Sequence, residues 1–183
     1  MNYIEQRIPG VWVIEPVVYQ DERGYFMETF RQDEFQQHTG IVFNIVQENQ
    51  SKSMMGVLRG LHFQKGEYSQ AKLVKVLSGA VWDVAVDLRR SSPTFGQYVI
   101  VELSEQNHRQ LYIPLCFAHG FLVKTPYAVF SYKVDNFYAP QAEGAVNYAD
   151  PTLGVQWPFL PLEYTLSEKD RMAPFLPEAY TFD

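Results

Sequence analysis

The stretch Val57 to Gln64, V-L-R-G-L-H-F-Q, sets an arginine and a histidine three apart in a strand-like run around one glycine. A neutral imidazole takes a proton near physiological pH without a large pKa shift, which makes His62 the candidate general base. Strict strand alternation would put Arg59 and His62 on opposite faces. Gly60 between them could mark a bulge that resets the register. Acid-base chemistry also needs partners, and Lys72, Tyr132 and one or more aspartates are the candidates.

Two other chemistries find less support. A metal site of the kind small β-barrels hold needs H-x-H followed by Glu and a further His after a proline turn. Here His62 is followed by Phe63 and Gln64, and only Pro114-Leu115-Cys116-Phe117-Ala118-His119 preserves half of the second element. Two separated histidines are too few, so the expectation is no metal. Nucleophilic catalysis lacks a G-x-S-x-G elbow, and Cys116 sits in an apolar run without a reason for thiolate character.

The elements that must position these groups read as strands. The chain has 183 residues, enough for one domain spanning 1–183 with a substantial core. Aromatic residues make up 15%, with 12 Tyr and 13 Phe, a load that suits sheets. A net charge of -6 argues against nucleic-acid binding but leaves room for a small anionic ligand held by a few arginines. One cysteine excludes an intrachain disulfide and points to a reducing compartment. No apolar run approaches the ~18 residues of a membrane span, and the N-terminus has no signal-peptide pattern, so a cytoplasmic protein without membrane contact is expected.

Val11 to Tyr19 is a β-rich run in which Pro16 argues for an edge strand or a bulge. Asp21 to Gly24 reads as a turn, and strand resumes over Tyr25 to Phe30 with Phe26, Glu28 and Phe30 on one face. Arg31 to His38 predicts a short helix closed by Gly40. From Ile41 a strand places Ile41, Phe43, Ile45, Gln47 and Asn49 on a face that runs from apolar to amide, and Ser51 to Gly56 reads as a loop. Lys72 opens another strand. After Gly79, Val81, Asp83, Ala85 and Asp87 alternate with Trp82, Val84, Val86 and Leu88; the aspartates are expected to face solvent, the alternative being that one orients a histidine or lysine inside a barrel. Ala128 to Val134 turns Tyr132 toward the core side. Ser167-Glu168-Lys169-Asp170 resembles a capped helix start, where capping accounts for Asp170. Roughly eight to ten short strands without βαβ spacing predict a sandwich or jelly roll.

The runs D-E-R-G-Y-F-M-E (21–28), Q-E-N-Q-S-K-S (47–53), V-L-R-G-L-H-F-Q (57–64), A-K-L-V-K-V (71–76), D-V-A-V-D-L-R (83–89), S-P-T-F-G (92–96), F-A-H-G-F (117–121), Y-K (132–133) and S-E-K-D (167–170) resemble the dTDP-4-dehydrorhamnose 3,5-epimerase family nearly throughout the chain. The resemblance implies an all-β, cupin-type double-stranded β-helix with short peripheral helices. It also implies a homodimer that acts without cofactor or metal on a dTDP-linked 4-keto-6-deoxyhexose. Position by position, His62 resembles the family's base, Asp170 the carboxylate that holds it, Tyr132 the acid on the opposite face and Lys72 the cation near the enolate. Arg23, Glu28, Gln47, Asn49, Arg59, Lys72, His119, Glu143 and Lys169 resemble ligand contacts, Phe26 could pack against a base or sugar, and Asp83 pairs with His119.

The chain departs from the family at Cys116, where glycine is usual. If that position has a positive φ, cysteine costs on the order of 1 kcal/mol. Epimerases that invert C3 or C5 alone, and ketoisomerases on related nucleotide sugars, share the same base and ketone. An inert sugar-nucleotide-binding cupin would not need an acid and a base together, and a metal-dependent cupin oxygenase would need a metal.

Overall fold

The computed structural model describes residues 1–158 and 160–183. In chain order its elements are β1 (Asn2–Glu5), β2 (Trp12–Glu15), β3 (Val18–Asp21), β4 (Gly24–Met27), α1 (Gln32–Thr39), β5 (Gln47–Met54), β6 (Leu58–Gln64) and β7 (Lys72–Ser78), then β8 (Ala80–Asp87), β9 (Tyr98–Ser104), β10 (Gln110–Ile113), β11 (Phe117–Val123), β12 (Tyr127–Val134), β13 (Glu143–Ala145) and α2 (Glu168–Arg171). A six-stranded sheet runs β1-β2-β10-β7-β12-β5 and a five-stranded sheet runs β13-β6-β11-β8-β9, while β3 and β4 form a hairpin of their own. The two large sheets lie face to face as a cupin-type jelly roll with peripheral helices. Among the described residues no helix is long and apolar enough to cross a membrane.

Side-chain alternation builds the core from both inner faces. Val74, Val76, Leu111, Ile113 and Phe130 of the larger sheet meet Val81, Ala85, Val99, Phe121 and Val123 of the smaller one, all buried. Behind the smaller sheet a second layer forms from Leu61, Phe63, Val84 and Val86 with the C-terminal Leu176, Ala179 and Phe182. α1 closes on Gly40 at φ 72 and places Phe35 against Phe43 and Tyr112 on the outer side of the larger sheet.

Five local expectations are corrected. Pro16 marks no edge: β2 ends at Glu15 and is internal, between β1 and β10, and Pro16-Val17 carries the chain out to the β3–β4 hairpin. Proline has no N–H for a ladder, so strand ends there. The second strand of that hairpin stops at Met27 rather than Phe30. Residues 41–46 are not strand, because Phe43 leaves the alternation to pack under α1; the ladder begins at Gln47 and continues through 51–54, where β12 offers an unbroken partner from Val134 to Tyr127. Asp83 and Asp87 do not face solvent. Their face of β8 is the interior, and both are fully buried. Asp87 accepts hydrogen bonds from Arg89, Ser92 and Thr94, which removes the cost of an unpaired buried charge.

Candidate functional site

β6 carries the first half of the site. Gly60 has φ 136, and the pairing of β6 with β11 shifts register between His62↔His119 and Arg59↔Phe121. The extra residue restores phase: Leu58, Leu61 and Phe63 point into the outer apolar layers, while Arg59, His62 and Gln64 line one cavity. Only glycine fits at the bulge, because a Cβ there would lie 2.6 Å from the Gly120 Cα.

β7 and β12, in the opposite sheet, carry the second half. Lys72 and Tyr132 face the same cavity of about 260 Å³, whose walls include Ser51, Gln70, His119, Phe121, Phe130, Tyr138 and Glu143. Phe121 and Phe130 stack across the sandwich with centroids 4.3 Å apart and give the cavity an apolar floor.

The His62 Nε2 lies 2.5 Å from Asp170 Oδ1. With a carboxylate as acceptor, this contact selects the tautomer that donates from Nε2 and leaves a lone pair on Nδ1. Burial alone pushes the Asp170 carboxyl up, but bonds from His62 and Ser167 outweigh it and hold the group below its ordinary value. Ser167 caps α2 by accepting the Asp170 N–H at 3.1 Å, so the cap uses the backbone of Asp170 and frees its carboxylate for His62.

A second pair lies deeper. The His119 Nε2 is 2.9 Å from Asp83 Oδ2, with both residues buried. Burial drives His119 down and Asp83 up, each against the attraction of the other. Burial also lowers the Lys72 ammonium to about 8, opposed by Asp83. The Tyr132 phenol is pushed up by burial, with Arg59 and Asn49 pulling the other way, so it is protonated at neutral pH.

At the mouth, the Tyr138 hydroxyl donates to Glu143 Oε1 at 2.9 Å and Lys169 Nζ bonds the other carboxylate oxygen. Gln47 donates to Asn49 Oδ1 at 2.9 Å and accepts the Tyr138 N–H, and Asn49 stands opposite Tyr132 in the ladder. Among the described residues no three His, Cys, Asp or Glu side chains gather as metal donors.

The structure thus brings Arg59, His62, Lys72, His119, Tyr132 and Glu143 to one cavity and sets Asp83, Asp170, Lys169, Gln47 and Asn49 directly behind or beside them. Arg23, Phe26 and Glu28 stay outside. Arg23 pairs with Asp21, Phe26 is 70% exposed and Glu28 is exposed, all on or just after the projecting hairpin. Sequence reasoning missed Tyr138 and Gln64. Tyr138 lies in a loop where no periodicity operates, and its signal was the aromatic pair Phe137-Tyr138 following a strand that ends in the pocket. Cys116 has φ 69, the left-handed conformation that favours glycine.

The family model described as dTDP-4-dehydrorhamnose 3,5-epimerase matches residues 5–178. The chain is 50% identical to the dTDP-4-dehydrorhamnose 3,5-epimerase of Salmonella typhimurium over 98% of its own length and 97% of that protein. Its fold is similar to the crystal structure of the enzyme of that name from Elizabethkingia anophelis, with a TM-score of 0.94 and 49% identity over 98% of this chain and 99% of that one. A dTDP-6-deoxy-D-glucose-3,5-epimerase from Legionella pneumophila, solved in complex with dTDP-4-keto-L-rhamnose, matches with a TM-score of 0.93 and 47% identity over 97% of this chain and 93% of that one.

Proposed function

The chain belongs to the dTDP-4-dehydrorhamnose 3,5-epimerase family, and from that premise we propose that residues 1–183 form a single domain inverting C3 and C5 of dTDP-4-keto-6-deoxy-D-glucose to give dTDP-4-keto-L-rhamnose. One observation carries the reading: His62, backed by Asp170, and Tyr132 enter one cavity from opposite sheets, with Lys72 beside them.

A ketone at C4 acidifies the hydrogens on C3 and C5. Nδ1 of His62 removes one of them while the ketone oxygen takes up negative charge, and the Lys72 ammonium offsets that charge. Tyr132, protonated and on the far wall, returns a proton to the other face, which inverts the centre. Asp170 holds the imidazole tautomer and stabilises the imidazolium as it forms. Only protons move, so the reaction asks for no cofactor. Arg59 suits a diphosphate oxygen, Gln47, Asn49, His119, Glu143 and Lys169 complete the surroundings of the nucleotide sugar, and Asp83 holds His119 from behind.

Arg23, Phe26 and Glu28 join this site only if a second copy of the chain supplies them. A lone two-stranded hairpin is marginal in water, and this one exposes Tyr19, Tyr25 and Phe26. A homodimer in which the hairpin covers the partner's cavity accounts for both facts.

The deciding experiment is proton NMR of dTDP-4-keto-6-deoxyglucose with the protein in deuterated water. Loss of both the C3 and C5 signals, with the L-rhamno product, is expected. Loss at one centre alone would make the protein a single-centre epimerase, and no loss above buffer would remove the substrate assignment.

A further inference from the structure

Gln64 is two residues beyond His62 on β6, faces the same cavity and is 5% exposed. Its side-chain amide makes three hydrogen bonds, all to backbone: Nε2 donates to the carbonyls of Tyr68 at 2.8 Å and Phe137 at 3.1 Å, and Oε1 accepts the Ala139 N–H at 2.6 Å. These carbonyls and N–H belong to two loops. One, residues 65–71, leads from the His62 strand to Lys72; the other, residues 135–139, leaves the Tyr132 strand and carries Tyr138. The same loops are tied again where Gln70 donates to the Asn136 carbonyl at 2.7 Å and Asn136 donates to the Glu67 carbonyl at 2.9 Å. Tyr138, 53% exposed at the cavity mouth, is thereby held from both sides of its own backbone, with its hydroxyl on Glu143.

We propose that Gln64 is a positioning residue for ligand capture: it fixes the Phe137–Ala139 backbone, and through it Tyr138, over the bound nucleotide while taking no part in proton transfer. The proposal rests on the substrate reading above. No other side chain of its size would satisfy two carbonyls and one N–H at once. Leucine leaves all three unpaired, and an ionised glutamate turns a carboxylate toward two carbonyl oxygens.

The test measures dTDP binding by calorimetry, and KM and kcat with the nucleotide sugar, for wild type, Gln64→Glu and Gln64→Leu. Both variants should raise the Kd and KM about tenfold or more while kcat at saturation stays within about threefold of wild type. As the pH falls, protonation of the new carboxyl restores a donor, so the KM of Gln64→Glu should approach wild type measured at the same pH and that of Gln64→Leu should not. A purely packing role would move neither the split nor its pH dependence. Should neither variant fold, Asn136→Ala, at the more exposed part of the same clasp, should still raise KM with kcat kept. Unchanged KM in the folded variants, or a fall in kcat alone, overturns the proposal. Wild-type protein that neither binds dTDP nor turns over the sugar overturns the substrate reading instead.

Discussion

Gly60 and Gly120 face each other across the β6–β11 ladder so closely that a Cβ on Gly60 would stand 2.6 Å from the Gly120 Cα and 3.0 Å from the His119 carbonyl oxygen. Gly60→Ala should therefore push the strands apart and turn Arg59 and His62 out of phase. Overpacking of this kind costs about 1–3 kcal/mol, to which the unfavourable φ of 136 adds. A lowered Tm together with loss of C3 and C5 exchange is expected. An alanine variant with wild-type exchange would show that the bulge does not set the two side chains.

On the proposed mechanism, His62 and Tyr132 separate cleanly. His62→Ala should lose about 10²–10⁴-fold in deuterium exchange with dTDP affinity nearly intact, since general-base catalysis contributes on that scale. Tyr132→Phe should exchange yet fail to invert, because its base survives and its acid does not. Comparable exchange in His62→Ala, or full inversion by Tyr132→Phe, would move that role to another group.

The lowered ammonium of Lys72 predicts a pH limb. With a value of about 8, it carries its charge below that pH and loses it above, so kcat/KM should fall on the alkaline side. Lys72→Arg keeps its charge throughout. A variant whose alkaline limb moves upward, even at a lower overall rate, identifies Lys72 as its source; an unmoved limb assigns it elsewhere.

Asp170 makes stability respond to acid. Its folded pKa lies below the ordinary carboxylate value, and such a group contributes stability that is present above the unfolded value, about 3.9, and is lost as pH falls through the folded one. Asp170→Asn deletes that contribution. Thermal melts of the two proteins should differ most at neutral pH and converge as the pH falls through the lowered folded value of Asp170. A gap that stays constant across this window would mean that the carboxylate's charge is not what stabilises the pair.

Mixing two inactive variants tests the hairpin. If Arg23 serves the partner's cavity, Arg23→Ala and His62→Ala combine into heterodimers with one intact site, and random exchange restores about a quarter of wild-type sites. If the hairpin served its own chain, mixing would restore nothing.

What was legible in the sequence followed from periodicity and from residue chemistry. Alternation placed Tyr132 inward, Gly60 announced a bulge and Gly40 closed a helix. Alternation also sorted Asp83 and Asp87 onto one face of β8 but not which face was the interior, since a strand buried on both sides carries no polar face to orient it. The run 41–49 kept its period while Phe43 answered to α1 instead of a neighbouring strand, so the ladder began later than the pattern did. The capping account of Asp170 was half right: the cap exists, but it engages the backbone N–H and not the carboxylate. Tyr138 and Gln64 owe their places to loops, where contacts are set by the final packing and not by spacing.

The sandwich also acts as a caliper. Stacked β-sheets sit about 10 Å apart whatever their sequence. With His62 on one jaw and Tyr132 on the other, the spacing of the sheets governs how far apart the two groups are held. The Phe121–Phe130 stack is the stop that sets how far the jaws can close. On the proposed mechanism, trimming or enlarging that pair would change how base and acid are spaced without changing any ionisable group, which makes core volume a lever on the chemistry alongside acid and base.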